Sequence, residues 1–530
     1  GGLVYKSHQR DITYNLQQLL NYNTTIDEKH TIGLLLGHEM YNRKVYGLYA
    51  QRSVMYSPDN LELSGAVVDM ASSGSSVSEY NNEGYFFRGQ YDYDGKVYVS
   101  GSYRRDASSR FHPDHRWGNF WSAGVAWLIN KESWFNAPWV DMLKVKASYG
   151  SQGNDGISEY LYTDYYTIAS AGGTSVTQNL ARKGNPDITW ETNANLNVGV
   201  EFGLWNNRLS GGIDFFNRKT TDMLFQMATP YESGYTSIWT NIGDMVNRGV
   251  EIELRADLIR TKDIVWDFSV NMTHYKNKLV KLPEQYKNNT TSDGKHVGRI
   301  SGSYFLTEGE SVFSFYLPTY AGVDKTTGES LWYTYTTNAE TGEKTREKTN
   351  NYSDASLNGR ELQGDALPDL YGGFNTSLHA YGFDLSLGFT YQIGGQAYDT
   401  GYATYMGSPS GSSSGFNYHR DLLNSWSETN KNSNIPRFAY NDNYSAASSD
   451  RFLTDASYLN IQNITLGYTL PKSITRKFLV ESLRVYVACD NVWYWSKRQG
   501  LDPRQSINGA TNPYYYAPIR TFSGGVTVTF

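Results

Sequence analysis

The sequence predicts an all-β chain and, within that class, a transmembrane antiparallel β-barrel. Three observations carry the prediction. Apolar residues recur with a period of two over runs of nine to eleven positions. Short hairpin turns alternate with long polar connections. The chain is polar on average (mean hydropathy −0.55), yet 15% of it is aromatic, with Tyr (44) twice as common as Phe (22). A wall that alternates lipid-facing and lumen-facing residues averages to polar, and tyrosine suits sites where an apolar ring keeps one end wet. No run of about 18 apolar residues occurs, so no helical membrane span is predicted.

Taken in order, strands are expected to start near Tyr14, Thr31, Tyr85, Lys96, Asn119, Met142, Thr192, Arg208, Asn247, Ile264, Ser311, Glu329, Leu370, Phe383, Ser457, Ser482 and Thr521, seventeen in all. The clearest runs from Ala194: Ala194, Leu196, Val198, Val200, Phe202 and Leu204 alternate with Asn195, Asn197, Gly199, Glu201 and Gly203. That is about the length a tilted strand needs to cross the hydrocarbon. The pattern returns at Val250–Leu258, Trp266–Met272, Phe383–Tyr391 and Phe522–Phe530. Soluble sandwiches show the same alternation, but their strands are usually about 5–6 residues long. One strand slips phase: Leu459 and Ile461 lie on odd positions, Ile464, Leu466, Tyr468 and Leu470 on even ones. A slip of one near Gln462-Asn463 predicts a β-bulge. Tyr91, Tyr93, Trp121, Trp127, Trp205 and Trp493-Tyr494-Trp495 cluster at strand ends, where interfacial girdles form.

Asp94-Gly95, Asn206-Asn207 and Tyr381-Gly382 read as tight hairpin turns. The longest connections are expected at about 40–83, 150–190, 276–310, 394–456 and 496–520. They hold a low-complexity run, Gly407–Gly415, and clustered rings: Tyr165 and Tyr166, Tyr402, Tyr405 and Phe416, and Tyr514 within NPYYY. Such rings beside Asn and Asp either stack on sugars and peptide side chains or fold the loops against one another. These six residues are the candidate contacts for a ligand or a partner protein.

Catalytic chemistry is hard to find. No GxSxG, HExxH, P-loop or CxxC spacing is present. His112 and His115 form an HxxH without a third ligand nearby, so no metal site is assigned. A net charge of −6 gives nucleic acid no reason to bind. The lone Cys489 alternates with Leu483, Val485 and Val487, so it should face lipid. No cofactor is expected, and the chain is not read as an enzyme. It opens GGLVYKSHQR, which has no basic n-region or apolar h-region, so a leader is expected either to have been removed or to lie ahead of these residues in a longer polypeptide.

Several stretches resemble the SusC/RagA family of TonB-dependent outer-membrane transporters. They include SYRRDASSRFHPDHRWGNF from Ser102, LKVKASYGSQGN from Leu143, NPDITWETNANLNVGVEFGLWNNRLSGGIDFFNRKTTDML from Asn185 and NIGDMVNRGVEIEL from Asn241. LPDLYGGFNTSLHAYGFDLSLGFTYQIGGQAYD from Leu367, RFLTDASYLNIQNITLGYTLP from Arg451 and SLRVYVACDNVWYWSKRQGLDP from Ser482 do likewise, in order, from about Leu16 to Phe530. The resemblance implies a 22-stranded barrel filled by an N-terminal plug. It implies a SusD-like lipoprotein on the outer side, TonB acting on the plug, and a possible dimer of transporter–lipoprotein pairs. The expected function is energy-coupled import of a large nutrient, an oligosaccharide or else a peptide, across the bacterial outer membrane. The alternatives are an outer-membrane enzyme and a passive porin. Residues 1–530 would be the C-terminal part of such a barrel. An odd strand count with short turns on the inner edge makes the first and last strands run the same way, so about five strands and the plug are expected to precede Tyr14. Asp354–Asp365 (DASLNGRELQGD) is too irregular to support a calcium site.

Overall fold

The computed structural model describes residues 2–69, 73–172, 175–229, 231–410 and 417–530. The main sheet has 16 strands. Its continuous path is β1 (Leu3–Ile26), β2 (His30–Met55), β3 (Gly74–Tyr93), β4 (Val97–Ser108), β5 (Trp117–Leu128), β6 (Val140–Asn154), β7 (Glu191–Leu204) and β8 (Leu209–Thr221). It goes on through β9 (Asp244–Arg260), β10 (Ile264–Lys281), β11 (Leu370–Ala380), β12 (Phe383–Ile393), β13 (Tyr458–Thr469), β14 (Ser482–Ser496) and β15 (Thr521–Thr529). Short Ala66–Asp69 is added to β2. Connections alternate without exception. Residues 27–29, 94–96, 129–139, 205–208, 261–263, 381–382 and 470–481 join strands on one edge. Residues 56–73, 109–116, 155–190, 222–243, 282–369, 394–457 and 497–520 join them on the other. Asp94 (φ 54°) and Gly95 (φ 62°) form a turn with both central residues left-handed, whose twist suits a tight hairpin.

The path holds two strands fewer than the seventeen the pattern predicts, and the difference lies at Ser311–Tyr335. There Ser314–Pro318 pairs with Arg360–Asp365, and Ser330–Thr337 pairs with Tyr320–Val323 and Lys344–Thr349. Every residue of Ser314–Pro318 is buried, so its apolar run fills a small core within a long connection instead of lining a membrane wall. Two turns of the same form shape this region, DKTTGE and NAETGE. Asp324 Oδ1 accepts from the Thr326 and Thr327 N–H groups (2.7 and 2.9 Å), and Asn338 Oδ1 from those of Glu340 and Thr341 (2.8 and 3.1 Å). Gly328 and Gly342 close them at φ 76° and 71°, a conformation that a side chain would strain.

The chain divides into two compact units: Gly1–Glu132 with Lys146–Asn197 and Arg218–Gly243, and Ser133–Val145 with Val198–Asn217 and Asp244–Phe530. In the first, β1 and β2 pair from Leu3↔Ser53 to Ile26↔His30, and β2 and β3 from His30↔Tyr93 to Tyr49↔Gly74. The stretch expected as a loop at 40–83 is therefore strand as far as Met55 and again from Gly74. A ladder of 24 residues exceeds the roughly 9–11 that hydrocarbon requires. Beyond the lipid, alternation has no apolar face to maintain, so Tyr41-Asn42-Arg43-Lys44 reads as loop although it is paired. Glu39, Gly84 and Asp106 share one rung of the polar face, where Arg104 lies 2.7 Å from Asp106 and 3.3 Å from Glu39. A hollow of about 450 Å³ on this face is lined by Gly33, Gln90, Tyr98, Ser100, Ser148 and Asn197 among others.

In the second unit the apolar face is a set of four-strand rungs. Phe383, Tyr468, Val485 and Val526 form one, and Leu387, Ile464, Cys489 and Phe522 another. Cys489 therefore lies on the apolar face, as its alternation predicts. Against β12 the register shifts between Ile461 and Asn463, so Gln462 is the extra residue of the expected bulge, whereas against β14 it is opposed by two residues, Asn491 and Val492. Past it Phe389, Ile461 and Trp493 return to one rung on the same face. On the polar face Asp384 reaches Arg484 diagonally over Gly467 (Nε–Oδ1 2.9 Å). A Cβ at Gly467 would come within 2.5 Å of both partners.

Val198 and Val200 are exposed on β7, whereas Asn197 lines the polar hollow and Glu201 lies 3.0 Å from Lys144. Arg at Val198 should therefore cost about 2–4 kcal/mol near the bilayer midplane, and Arg at Asn197 under about 1 kcal/mol. Reversible denaturant unfolding in lipid vesicles measures both, and equal costs would refute the assigned faces.

Candidate functional site

The candidate site is built where the 394–457 and 497–520 connections of the second unit meet. Asp399 starts the helix Thr400–Tyr405 by accepting the Tyr402 N–H at 2.9 Å. Its carboxylate is buried, 5% exposed. Its second oxygen lies 3.0 Å from Arg498 Nε, a close ion pair that is not an aligned hydrogen bond. The Arg498 guanidinium sits 3.9 Å from the centre of the Tyr402 ring, a cation–π contact. The Tyr402 hydroxyl donates to Asp421 Oδ2 at 3.0 Å, and its ring meets His419 edge-on. Burial, reinforced by the Asp421 carboxylate, raises the Tyr402 pKa, so its O–H remains a donor at neutral pH. Ala403, Met406 and Phe452 form the buried core beneath.

The two connections are joined by backbone and hydroxyl bonds. Tyr398 N–H donates to Gly509 O (2.8 Å), Thr400 N–H to Thr511 Oγ1 (3.0 Å), and Thr511 Oγ1–H to Tyr398 O (2.6 Å). Asp502 caps the turn Pro503–Gln505 and grips Arg504 with both oxygens at 2.8 and 2.7 Å. A cleft of about 250 Å³ lies between the connections, lined by Tyr402, Tyr405, Arg498, Gln505, Asn512 and Tyr515. The Pro503–Gln505 turn also borders a second cleft of about 340 Å³ with Tyr275, Tyr371, Tyr458, Arg504 and Ile507 in its walls. Rings, amides and guanidinium groups suit binding. Among the described residues no three His, Cys, Asp or Glu side chains come together as a metal site. His112 and His115 turn to different carboxylates, Asp114 and Asp187. Along 354–365, Asp354 accepts from Asn358 and Asp365 from Ser311 and the Leu367 N–H.

Of the six rings predicted from the sequence, Tyr402 and Tyr405 share the first cleft. Tyr514 lies on the 497–520 connection that forms the cleft's other wall, with its N–H held by Asn512, but its ring is outside the lining and 82% exposed. Tyr165 and Tyr166 belong to the first unit. They open the exposed hairpin of Tyr165–Gly172 and Ser175–Arg182, where Arg182 lies over the Tyr165 ring at 5.6 Å. Phe416 and residues 411–415 of the low-complexity run lie outside the described residues. Sequence reasoning missed Asp399, Arg498, Asp502 and Arg504. The signal was there in LDPR, where an Asp before Pro is a helix-start pattern, but nothing local says which charge meets which ring.

Residues 2–352 match the family model described as TonB dependent receptor-like, beta-barrel. The TonB-dependent receptor P3 of Formosa agariphila is 29% identical over 98% of this chain and 53% of its own length. The TonB-dependent receptor SusC of Bacteroides thetaiotaomicron is 27% identical over 84% of this chain and 43% of its own. A solved structure of the RagAB peptide transporter superposes with a TM-score of 0.85 at 28% identity, over 99% of this chain and 56% of that one. The chain thus spans about half the length of the relatives it matches.

Arg498→Ala would leave the Asp399 carboxylate buried with its helix-cap bond alone. The expected local loss is about 1–3 kcal/mol, read as faster amide exchange over Tyr402–Met406. Arg498→Lys should recover part of it. Unchanged exchange in the alanine variant would show that the pair does not hold the helix.

Proposed function

The chain belongs to the TonB-dependent receptor-like β-barrel family, and on that premise we propose that it is the barrel-wall part of an energy-coupled importer of a large nutrient, an oligosaccharide. The relatives are outer-membrane receptors and transporters, and this chain is an outer-membrane β-barrel protein. One observation supports the ligand reading most. The tyrosine- and arginine-lined clefts lie in the long connections of one sheet edge, where a ligand arriving from outside would meet them. In this reading a SusD-like lipoprotein covers that edge and TonB acts through a plug segment. Tyr165, Tyr166, Tyr402, Tyr405, Phe416 and Tyr514 then contact the ligand or the lipoprotein. Stacked rings with amide and carboxylate neighbours recognise sugar rings by their C–H faces and their hydroxyls.

A peptide ligand is the second reading, favoured by the match to a structure whose name states peptide transport. The two differ in a direct measurement: growth or uptake on defined oligosaccharides against defined peptides. A passive porin would import without TonB, and an enzyme would change the ligand chemically.

Replacing Tyr402, Tyr405 and Tyr514 together with Ala should lower uptake at limiting nutrient by about tenfold or more, at roughly 1 kcal/mol or less per ring. Assembly in the outer membrane should be unchanged. Undiminished uptake and undiminished lipoprotein docking would overturn the assignment. Uptake should also stop when TonB is depleted, and persistence would favour the porin.

A further inference from the structure

We propose that the 470–481 connection seats one anionic phospholipid, with Arg476 and Lys477 on its phosphate and Phe478 and Leu479 among its acyl chains. The proposal rests on the place of this chain in the outer membrane, whatever the cargo. The connection joins β13 to β14 on the edge of the short turns. A helical turn, Lys472–Thr475, runs into a second, Arg476–Phe478. It is anchored to the sheet end: Thr475 is buried, and the Glu481 N–H donates to Thr529 O of β15 at 2.8 Å. Its last turn is bare. Phe478 is 74% exposed and Leu479 89%. Leu479 also sits at φ 59°, ψ 28°, the left-handed position on which many helices end. Glycine is usual there, because a Cβ in that conformation crowds the following carbonyl. Here a leucine holds it, although the chain itself leaves that side chain uncovered. A strained residue with an exposed apolar side chain points to apolar cover from outside the chain.

Two neighbouring features limit what that cover is. The first is continuity with the apolar wall. Tyr468, Val485 and Val526 share a rung, and Leu483 and Val528 share the next one toward the edge. The Leu470 N–H donates to Leu483 O at 2.9 Å, so the connection leaves and rejoins the sheet at that rung. Acyl chains that coat the wall therefore end beside it, where headgroups begin. The second feature is charge. Of the seven connections on this edge, 470–481 has the largest cationic excess, Lys472, Arg476 and Lys477 against Glu481. Glu481 lies 3.8 Å from Lys472. Arg476 and Lys477 are exposed and have no carboxylate partner among the described residues. Free cations beside bare apolar side chains at the hydrocarbon boundary match an anionic lipid surface. An acidic peptide would meet the cations and leave Phe478 and Leu479 in water. A neutral lipid would cover the apolar pair and leave the cations without counter-charge. An anionic phospholipid answers both.

The test uses the full protein in phosphatidylcholine vesicles. The probe is phosphatidylglycerol with a diazirine in one acyl chain, and the control is phosphatidylcholine with the same diazirine. After illumination and proteolysis, mass spectrometry reads labelling of the peptide that carries Phe478. The probe should label it about fivefold more than the control. Arg476→Gln with Lys477→Gln should bring the two to the same level. Leu479→Gly keeps the turn, since glycine takes this φ without strain, and should lower probe labelling about threefold or more. Excess inorganic phosphate should leave labelling unchanged, and competition by it would reassign the cations to a free anion and overturn the proposal. Equal labelling by probe and control in the natural sequence would show contact without headgroup recognition, and would overturn it too, as would no labelling. In cells, p-benzoylphenylalanine in place of Phe478 should crosslink to phospholipid. A crosslink to a protein instead would give this surface to a partner chain and overturn the lipid assignment.

Discussion

Every backbone N–H and C=O inside hydrocarbon must find a partner in the protein, since lipid offers none. The rest of the structure follows from that requirement. It is met by pairing each strand with its neighbours in sequence, so the chain order is also the sheet order. Neighbours in sequence make antiparallel pairs, and antiparallel pairs put connections alternately on two edges. One edge can then be reduced mostly to short turns, 129–139 and 470–481 being its longer connections, while the other holds the longest ones, including the clefts and the small buried core around Phe315 and Ala366. The division between a paired wall and longer, less regular connections on one edge is thus a consequence of hydrogen-bond accounting.

The polar face repeats the requirement for charges. Arg104 with Glu39 and Asp106, Lys144 with Glu201, and Arg484 with Asp384 all pair on this face. Such pairs contribute about 0.2–1 kcal/mol each where they face water. Their larger effect is on register, because a slip of one residue would carry them into lipid. Glycine gives them room: Gly84 lies across from Asp106, and Gly467 lies between Asp384 and Tyr486.

What the sequence revealed follows the same physics. Alternation was legible where one face meets lipid, as at Val198 and Val200, and the slip could be placed near Gln462-Asn463, where the ladder with β12 shifts. It was illegible at Tyr41–Lys44, which is strand beyond the membrane and has no face to keep apolar. It misled at Ser311–Tyr335, where a local core also selects apolar residues. Within the site, composition pointed to Tyr402 and Tyr405, because rings are conspicuous in polar loops. The pairing of Asp399 with Arg498, about a hundred residues apart in the chain, was not legible, since only the fold decides which charge a buried carboxylate meets.

The position of Cys489 has a practical corollary. Its rung neighbours are Leu387, Ile464 and Phe522, so the only thiol of this chain is turned toward acyl chains and away from water. Water-soluble maleimides stay in the aqueous phase and do not reach a thiol among acyl chains, since reactive cysteines are partly water-exposed. New cysteines placed in the long connections would therefore take up fluorophores or spin probes without removal of the natural one. Distances across the clefts can then be followed in an otherwise unaltered chain.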